Sequence, residues 1–478
     1  MRALPAGWQP WLAVLVFVLD VMATLHVVLR KRDVRAAISW VGLIWLVPGV
    51  GVLLYALLGL NRIRRQGMEL QRERRRIVSG WTESEAPAWL APQLQARLTG
   101  LARLTEALSG RPLLGGNRME PLIDGDQAYP AMLAAIDGAK QSIALCSYIF
   151  AGDRVGQRFV EALARAVKRG VDVRVLIDDV GARYTFPPVH WALRRAGVRV
   201  ARFLPIVSRS GLAFFNLRTH RKALIVDGDL AFAGGMNIQA SNVLADSPRH
   251  AVRDVHFRIQ GPVVLQLQDA FAEDWAFVTR ELLDGPRWYA PPAQRGPIAA
   301  RVITDGPDRD FEIVRNVVIG ALASARESVR IVTPYFLPDA PMLAGLAVAA
   351  LRGVRVDIVL PSRGNIALAQ WASTALLWQV LKPGCRVYLS PPPFDHTKLF
   401  VIDRSWALVG TSNWDPRSLR LNFELNVECH DAAFAGLLDS LVEQRIAASQ
   451  PLTLMDADGR PFLTRVRDGL ARLLSPYL

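Results

Sequence analysis

The feature that most constrains this chain is a short pattern that occurs twice. Thr219-His220-Arg221-Lys222-Ala223-Leu224-Ile225-Val226-Asp227 returns as Asp395-His396-Thr397-Lys398-Leu399-Phe400-Val401-Ile402-Asp403. Each reads His-x-Lys, four residues, then Asp. Each runs on, at the same spacing, into a small-residue turn ending in Asn: Gly234-Gly235-Met236-Asn237 and Gly410-Thr411-Ser412-Asn413. The apolar runs 223–226 and 399–402 have the length of buried strands and are too short for helices. Alternation predicts that His and Lys leave the strand on one face. An imidazole beside an ammonium, next to a turn offering Asn and backbone N–H groups, suits a phosphate. One copy would leave open a core strand that merely carries a His and a Lys. Two copies with the same Gly-x-x-Asn extension argue against that.

The duplication reaches well beyond the motif. In the first half, 129–139 reads as a helix, 142–150 as a buried strand, 156–169 as an amphipathic helix and 170–178 as a further strand. The second half repeats the order with a helix at 311–326, a strand at 328–336, a helix at 342–352 and a strand at 353–361. The separation between counterparts drifts only from 186 (336 − 150) to 176 residues (396 − 220), as loop insertions would make it. Strands separated by helices imply α/β layers in each half.

Charge and hydropathy narrow the partners. The formal net charge is +14, which suits an anionic surface, membrane or nucleic acid. Almost all of the positive charge is Arg; of the few lysines, Lys222 and Lys398 sit in the repeated motif. Keeping Lys there implies a need for a compact ammonium. Cys146, Cys385 and Cys429 have no metal-ligand or disulfide spacing and read as buried thiols. Hydrophobic residues make up 51%, concentrated near the N-terminus. Residues 11–29 form an apolar run interrupted by Asp20 and His26, and 36–60 form a second, broken at Pro48-Gly49-Val50-Gly51. Either is long enough to cross a hydrocarbon core of about 30 Å. Asp20 is expected to pair with a polar group such as His26 or to sit in a helix contact. Arginines between 62 and 76 favour a cytoplasmic catalytic portion. Those at 30, 32 and 35 conflict with two full spans, unless the second stretch re-enters at Pro48–Gly51.

The duplicated motif resembles that of the phospholipase D superfamily, and the order of features along the whole chain resembles bacterial cardiolipin synthases. The resemblance implies an α/β fold of two phospholipase D-like α/β/α domains in a pseudo-twofold pair, both motifs facing one cleft, preceded by N-terminal transmembrane helices. The expected division is a membrane anchor at 1–65, a basic juxtamembrane connector at 66–116, and phospholipase D-like domains at 117–290 and 291–478. The apolar, Arg-punctuated loop 205–216 is expected to admit lipid to the cleft or to pack on the second half. The C-terminal segment 460–478 either touches the membrane or docks on its domain. A bacterial inner membrane location follows, multi-pass or re-entrant.

A phosphodiester repels nucleophiles and has a poor leaving group. A covalent intermediate and a general acid answer both difficulties, so two histidines are the minimum set. The resemblance implies that one becomes a phosphohistidine. We assign His220 as nucleophile and His396 as acid and then base, with Lys222, Lys398, Asn237 and Asn413 holding the non-bridging oxygens. Asp254 and Glu424 stand where the family has its histidine-orienting acids. Asp227 and Asp403 belong to the catalytic motif, although their place after the apolar strands reads as a turn brace. His256 has no second-half counterpart and is not assigned a role. No metal or cofactor is expected.

The leading expectation is a phosphatidyltransferase joining two phosphatidylglycerols into cardiolipin and glycerol. A phospholipase D-type hydrolase, or a transphosphatidylase with another acceptor, is the alternative within the superfamily. A non-catalytic lipid scaffold would not need two histidines so placed. The apolar N-terminus, and the lack of aromatic–basic interleaving around the motifs, argue for lipid over nucleic acid.

Overall fold

A computed structural model describes residues 9–31, 34–59, 96–205, 217–245, 251–307 and 310–475. Most of the expected connector and of the loop 205–216 lies outside the described residues. The described chain falls into two compact units, residues 9–59 and the remainder.

In the first unit, Gln9–Arg30 is an uninterrupted apolar helix long enough to cross a membrane. The second apolar stretch is not a span. It divides into helices Val34–Leu46 and Val50–Leu54 and a π-turn at Tyr55–Gly59. Thirteen helical residues rise only about 20 Å. Pro48 cannot continue the backbone ladder, and Gly49 turns the chain at φ +76°. Of the two alternatives, multi-pass or re-entrant, multi-pass is not supported: among the described residues one helix is long and apolar enough to cross a membrane. Asp20 does not pair with His26. Its carboxylate accepts the Gly49 N–H at 3.2 Å, while His26 Nδ1 meets the Tyr55 hydroxyl at 2.7 Å. The helix-contact alternative for Asp20 is the one observed.

The second unit is built on a sheet whose strand order is its own mirror image. The first half supplies β1 (Leu114–Ile123), β2 (Ser142–Ser147), β3 (Asp172–Asp178), β4 (Arg199–Phe203), β5 (Arg218–Thr219), β6 (Ala223–Val226), β7 (Leu230–Gly234), β8 (Val252–Arg253) and β9 (Val255–Gln260). The second half supplies β10 (Ile298–Asp305), β11 (Ser328–Val332), β12 (Arg355–Pro361), β13 (Arg386–Ser390), β14 (Phe394–Asp395), β15 (Leu399–Ile402), β16 (Trp406–Gly410), β17 (Asn422–His430) and β18 (Gln450–Leu452). From the centre outward the first half runs β1-β9-β7-β6-β2-β3-β4, and the second runs β10-β17-β16-β15-β11-β12-β13, with β18 added at its edge. β1 and β10 pair antiparallel and make the two halves one sheet.

In each half three neighbouring strands, β2-β3-β4 and β11-β12-β13, are parallel and joined through helices, and the strands inward of them are antiparallel, as is the edge strand β18. The motif runs 223–226 and 399–402 are buried at every position, as strands covered on both faces require. Each half has its own apolar core, around Phe150, Phe159 and Phe232 in the first and Phe336, Phe400 and Trp406 in the second. The expected strands 142–150 and 328–336 end early, at Ser147 and Val332. Their tails bend across the sheet, and Phe150 and Phe336 form isolated bridges to Ile238 and Trp414. The expected helices 129–139 and 311–326 appear as Asp124–Gly138 and Ile313–Ser324.

Candidate active site

The two motif histidines are held by short strands that cross between halves. β5, just before His220, pairs in parallel with the start of β17, setting Thr219 opposite Phe423. His220 then donates its backbone N–H to the Phe423 carbonyl at 2.8 Å. The next residue on β17 is Glu424, whose Oε2 lies 3.0 Å from His220 Nδ1. The other half repeats the construction. β14 pairs with β8, His396 N–H donates to the Arg253 carbonyl at 2.8 Å, and Asp254 Oδ2 lies 2.8 Å from His396 Nδ1. Each carboxylate thus grips the histidine of the opposite half. Sequence reading named both acids and left their partners unassigned, because the exchange depends on two-residue strands that carry no pattern.

The turn after each motif supports its acid differently. In the first half Gly235 leaves room for Asp254: a Cβ built there would lie 2.6 Å from Oδ1. Thr411 holds the matching place, and its hydroxyl donates to Glu424 Oε2 at 2.5 Å. A short acid with glycine thus answers a longer acid with threonine.

His-x-Lys was expected inside one strand. Instead 220–222 lie between β5 and β6, and 396–398 between β14 and β15. His and Lys still come together. Lys222 Nζ donates to the His220 carbonyl at 2.7 Å, and Lys398 Nζ to the His396 carbonyl. Arg221 turns elsewhere, donating to the Glu424 carbonyl at 3.1 Å and pairing with Asp274 at 3.0 Å. Tyr148, which sequence reading passed over, sets its ring edge-on to His220 at 5.3 Å and lies 5.5 Å from Lys222 Nζ. Its one available signal was its place in the matched strand ends Ser-Tyr-Ile-Phe and Thr-Pro-Tyr-Phe.

Electrostatics follow from burial and convergence. Burial lowers both histidines, His396 to about 4 with Lys398 adding to the effect, so both imidazoles are neutral at rest. Since a carboxylate only accepts, Nδ1 carries the proton and Nε2 keeps its lone pair. Burial alone would raise Asp254 and Glu424. The lysines and histidines around them more than offset it and hold both below the usual range. Burial brings Lys222 to about 7 and Lys398 to about 8, and both acids oppose the shift in each lysine. The groups of both halves therefore act on one another at a single place.

The chain as a whole has counterparts among known sequences. The family profile "Cardiolipin synthase, PLD-like domain" matches residues 132–275 and 318–446, and a phospholipase D-nuclease N-terminal profile matches 18–59. The chain belongs to the phospholipase D-like cardiolipin synthase family. Its relatives include the major cardiolipin synthase ClsA of Bacillus subtilis, 32% identical with 97% of this chain and 98% of that one covered. Cardiolipin synthase A of Pseudomonas aeruginosa is 32% identical, covering 96% and 94%. Among solved structures, a phosphatidylserine synthase of Haemophilus influenzae superposes with TM-score 0.61 at 16% identity, covering 79% of this chain and all of that one. The last likeness is one of fold.

The remaining expected site residues of this family member fall into two groups. Asn413 lines a small cavity together with Lys398 and Ser412. Asn237 uses its Oδ1 to accept the Ile149 N–H at 3.0 Å. Asp227 and Asp403, carried in the catalytic set, lie at the far ends of β6 and β15 from the histidines. Asp227 accepts the backbone N–H groups of Lys140, Gln141 and Ser142, and Asp403 those of Arg326, Glu327 and Ser328. Four intervening strand residues, at about 3.3 Å each, keep them out of reach of the imidazoles. Their place is in the turn, as braces. His256 is buried with both ring nitrogens unpartnered; the expectation that it has no second-half counterpart is corrected by strand register, since Gly234 pairs with His256 as Gly410 pairs with Asn426. Among the described residues no His, Cys, Asp and Glu side chains group as metal ligands.

Proposed function

We propose that this chain is a membrane phosphatidyltransferase that converts two phosphatidylglycerols into cardiolipin and glycerol. The observation that carries the reading is the exchange of carboxylates between two neutral imidazoles. Each Nε2 is free for one of two roles, attacking phosphorus or managing the proton of the alcohol. In the proposed first step His220 Nε2 forms a bond to phosphorus as the P–O bond to glycerol breaks. Glu424 steadies the positive charge that develops on the ring. The proton for the departing alkoxide comes from His396, which takes that proton from solvent as the lipid binds, because the negative charge of the phosphodiester favours the imidazolium. In the second step neutral His396 takes the proton of the hydroxyl of a second phosphatidylglycerol, whose oxygen displaces His220 and forms cardiolipin. Lys222, Lys398, Asn237 and Asn413 would hold the non-bridging oxygens.

The relatives' names support the lipid product, and the apolar helix Gln9–Arg30 supports action at a bacterial inner membrane. The halves 117–290 and 291–478 would serve as the two phospholipase D-like domains.

The test is incubation of the purified full chain in detergent with phosphatidylglycerol, reading products by mass spectrometry. Cardiolipin and glycerol in equal amounts are expected. Phosphatidate as the sole product would replace the transferase by a hydrolase.

A further inference from the structure

The helix Phe462–Leu473 is turned inside out for a surface helix. At ~100° per residue, Phe462, Leu463, Val466, Leu470 and Leu473 fall within an arc of ~100°. That arc faces away from the body: Phe462, Leu463, Leu470 and Leu473 are between 60% and 78% exposed. The face that meets the body is made of a small and an acidic residue, Ala471 and Asp468, both buried. Ala471 packs with Leu337, Ala372 and Leu376. Asp468 pairs with Arg460 and Arg467, and the Arg467 guanidinium lies 4.4 Å over the Trp371 ring. These contacts fix the helix's rotation, so its apolar arc cannot turn inward.

Charge identifies the occupant of that arc. Arg465 and Arg472 border it, and the one acidic residue of the helix, Asp468, is buried and neutralised by its arginines. The outward surface is therefore apolar with a cationic margin, the pattern of a helix lying in the plane of an anionic bilayer. Pairing two copies through this arc would press the same arginines together, which disfavours self-association. Just upstream, the short helix Leu454–Asp458 adds Met455, also highly exposed.

We propose that Phe462–Leu473 is a membrane-interface helix. Its apolar arc enters the acyl boundary of an anionic bilayer, and Arg465 and Arg472 meet the headgroups. The unit that carries the histidines then touches the membrane through its own surface, whatever the anchor does. The inference does not depend on the reaction proposed above.

The test uses the full chain in vesicles. All three native cysteines are buried, so single cysteines introduced by Leu463→Cys, Leu470→Cys and, on edge strand β4, Arg199→Cys take a polarity-sensitive fluorophore selectively. With acyl-brominated lipids in phosphatidylglycerol–phosphatidylcholine vesicles, probes at 463 and 470 should shift to the blue. They should also be quenched several-fold more than the probe at 199. Arg465→Glu with Arg472→Glu should reduce that quenching. Probes at 463 and 470 as water-exposed as the one at 199 would overturn the proposal. So would a blue shift without lipid quenching but with energy transfer between labelled copies, which gives the face to a second copy. Equal quenching in pure phosphatidylcholine would overturn the anionic assignment.

Discussion

A histidine works as a nucleophile or base only if something fixes which nitrogen holds its proton. Here that task falls on Asp254 and Glu424, and their own positions depend on single residues in the turns behind them. Gly235→Ala should push Asp254 off His396, because the new methyl would overlap Oδ1. The expected result is a fall in kcat of about tenfold or more, up to the ~10²–10⁴ typical of positioned proton transfer. The melting midpoint should move little. Unchanged kcat would show that Asp254 is not what holds the ring. Asp227→Ala should do the reverse. It removes the acceptor of three backbone N–H groups, a loss of about 1–3 kcal/mol. The midpoint should drop, while the protein that stays folded keeps a kcat within a few-fold of normal. A collapse of kcat at unchanged stability would return Asp227 to the chemistry.

At the level of elements, what could be read from the chain depended on range. The repeated strands, the crossover helices and the break at Pro48-Gly49 are local patterns, and they were legible. The exchange of acids between halves was not, since β5, β8 and β14 are each two residues long and owe their existence to tertiary pairing. The strand ends at Phe150 and Phe336 were overrun because an apolar run does not reveal where it bends. For the C-terminal helix the apolar arc was visible, but which side docks was decided by Asp468 and Ala471. Sequence pattern was also silent on how the central strands are pinned. Arg301 on β10 is fully buried, donating to Glu428 on β17 at 2.6 Å and to the carbonyls of Ala102 and Arg111 at 2.8 and 3.0 Å. Arg301→Met leaves Glu428 charged and largely uncompensated, at an expected cost of about 3–5 kcal/mol. Adding Glu428→Leu should recover much of it, and denaturant midpoints of the three variants measure both. A single variant as stable as the parent would show that the pair contributes nothing.

For the molecule as a whole, docking the halves concentrates positive charge at one place. Lys222 and Lys398 come from different halves, and burial lowers them from the ordinary lysine value to about 7 and about 8. Since the folded values lie below the unfolded one, the unfolded chain holds more protons between about 7 and the ordinary lysine value. Stability from these groups therefore rises with pH across that window and is lowest at neutral pH and below. A bound tetrahedral anion reverses the balance, because its negative charge favours both ammonium forms. Binding should take up protons at pH ~8, and affinity should fall as pH rises through the lysine values. Sulfate is a suitable probe, since it does not itself titrate near neutrality. Calorimetric titrations at one pH in two buffers of different ionisation enthalpy give the number of protons directly. Lys222→Arg with Lys398→Arg keeps the charge but removes the lysine titration, so the proton uptake should fall to what His396 alone takes up. If sulfate bound the parent chain with no uptake, or more tightly as pH rose, the two lysines would not be the groups that receive the phosphate.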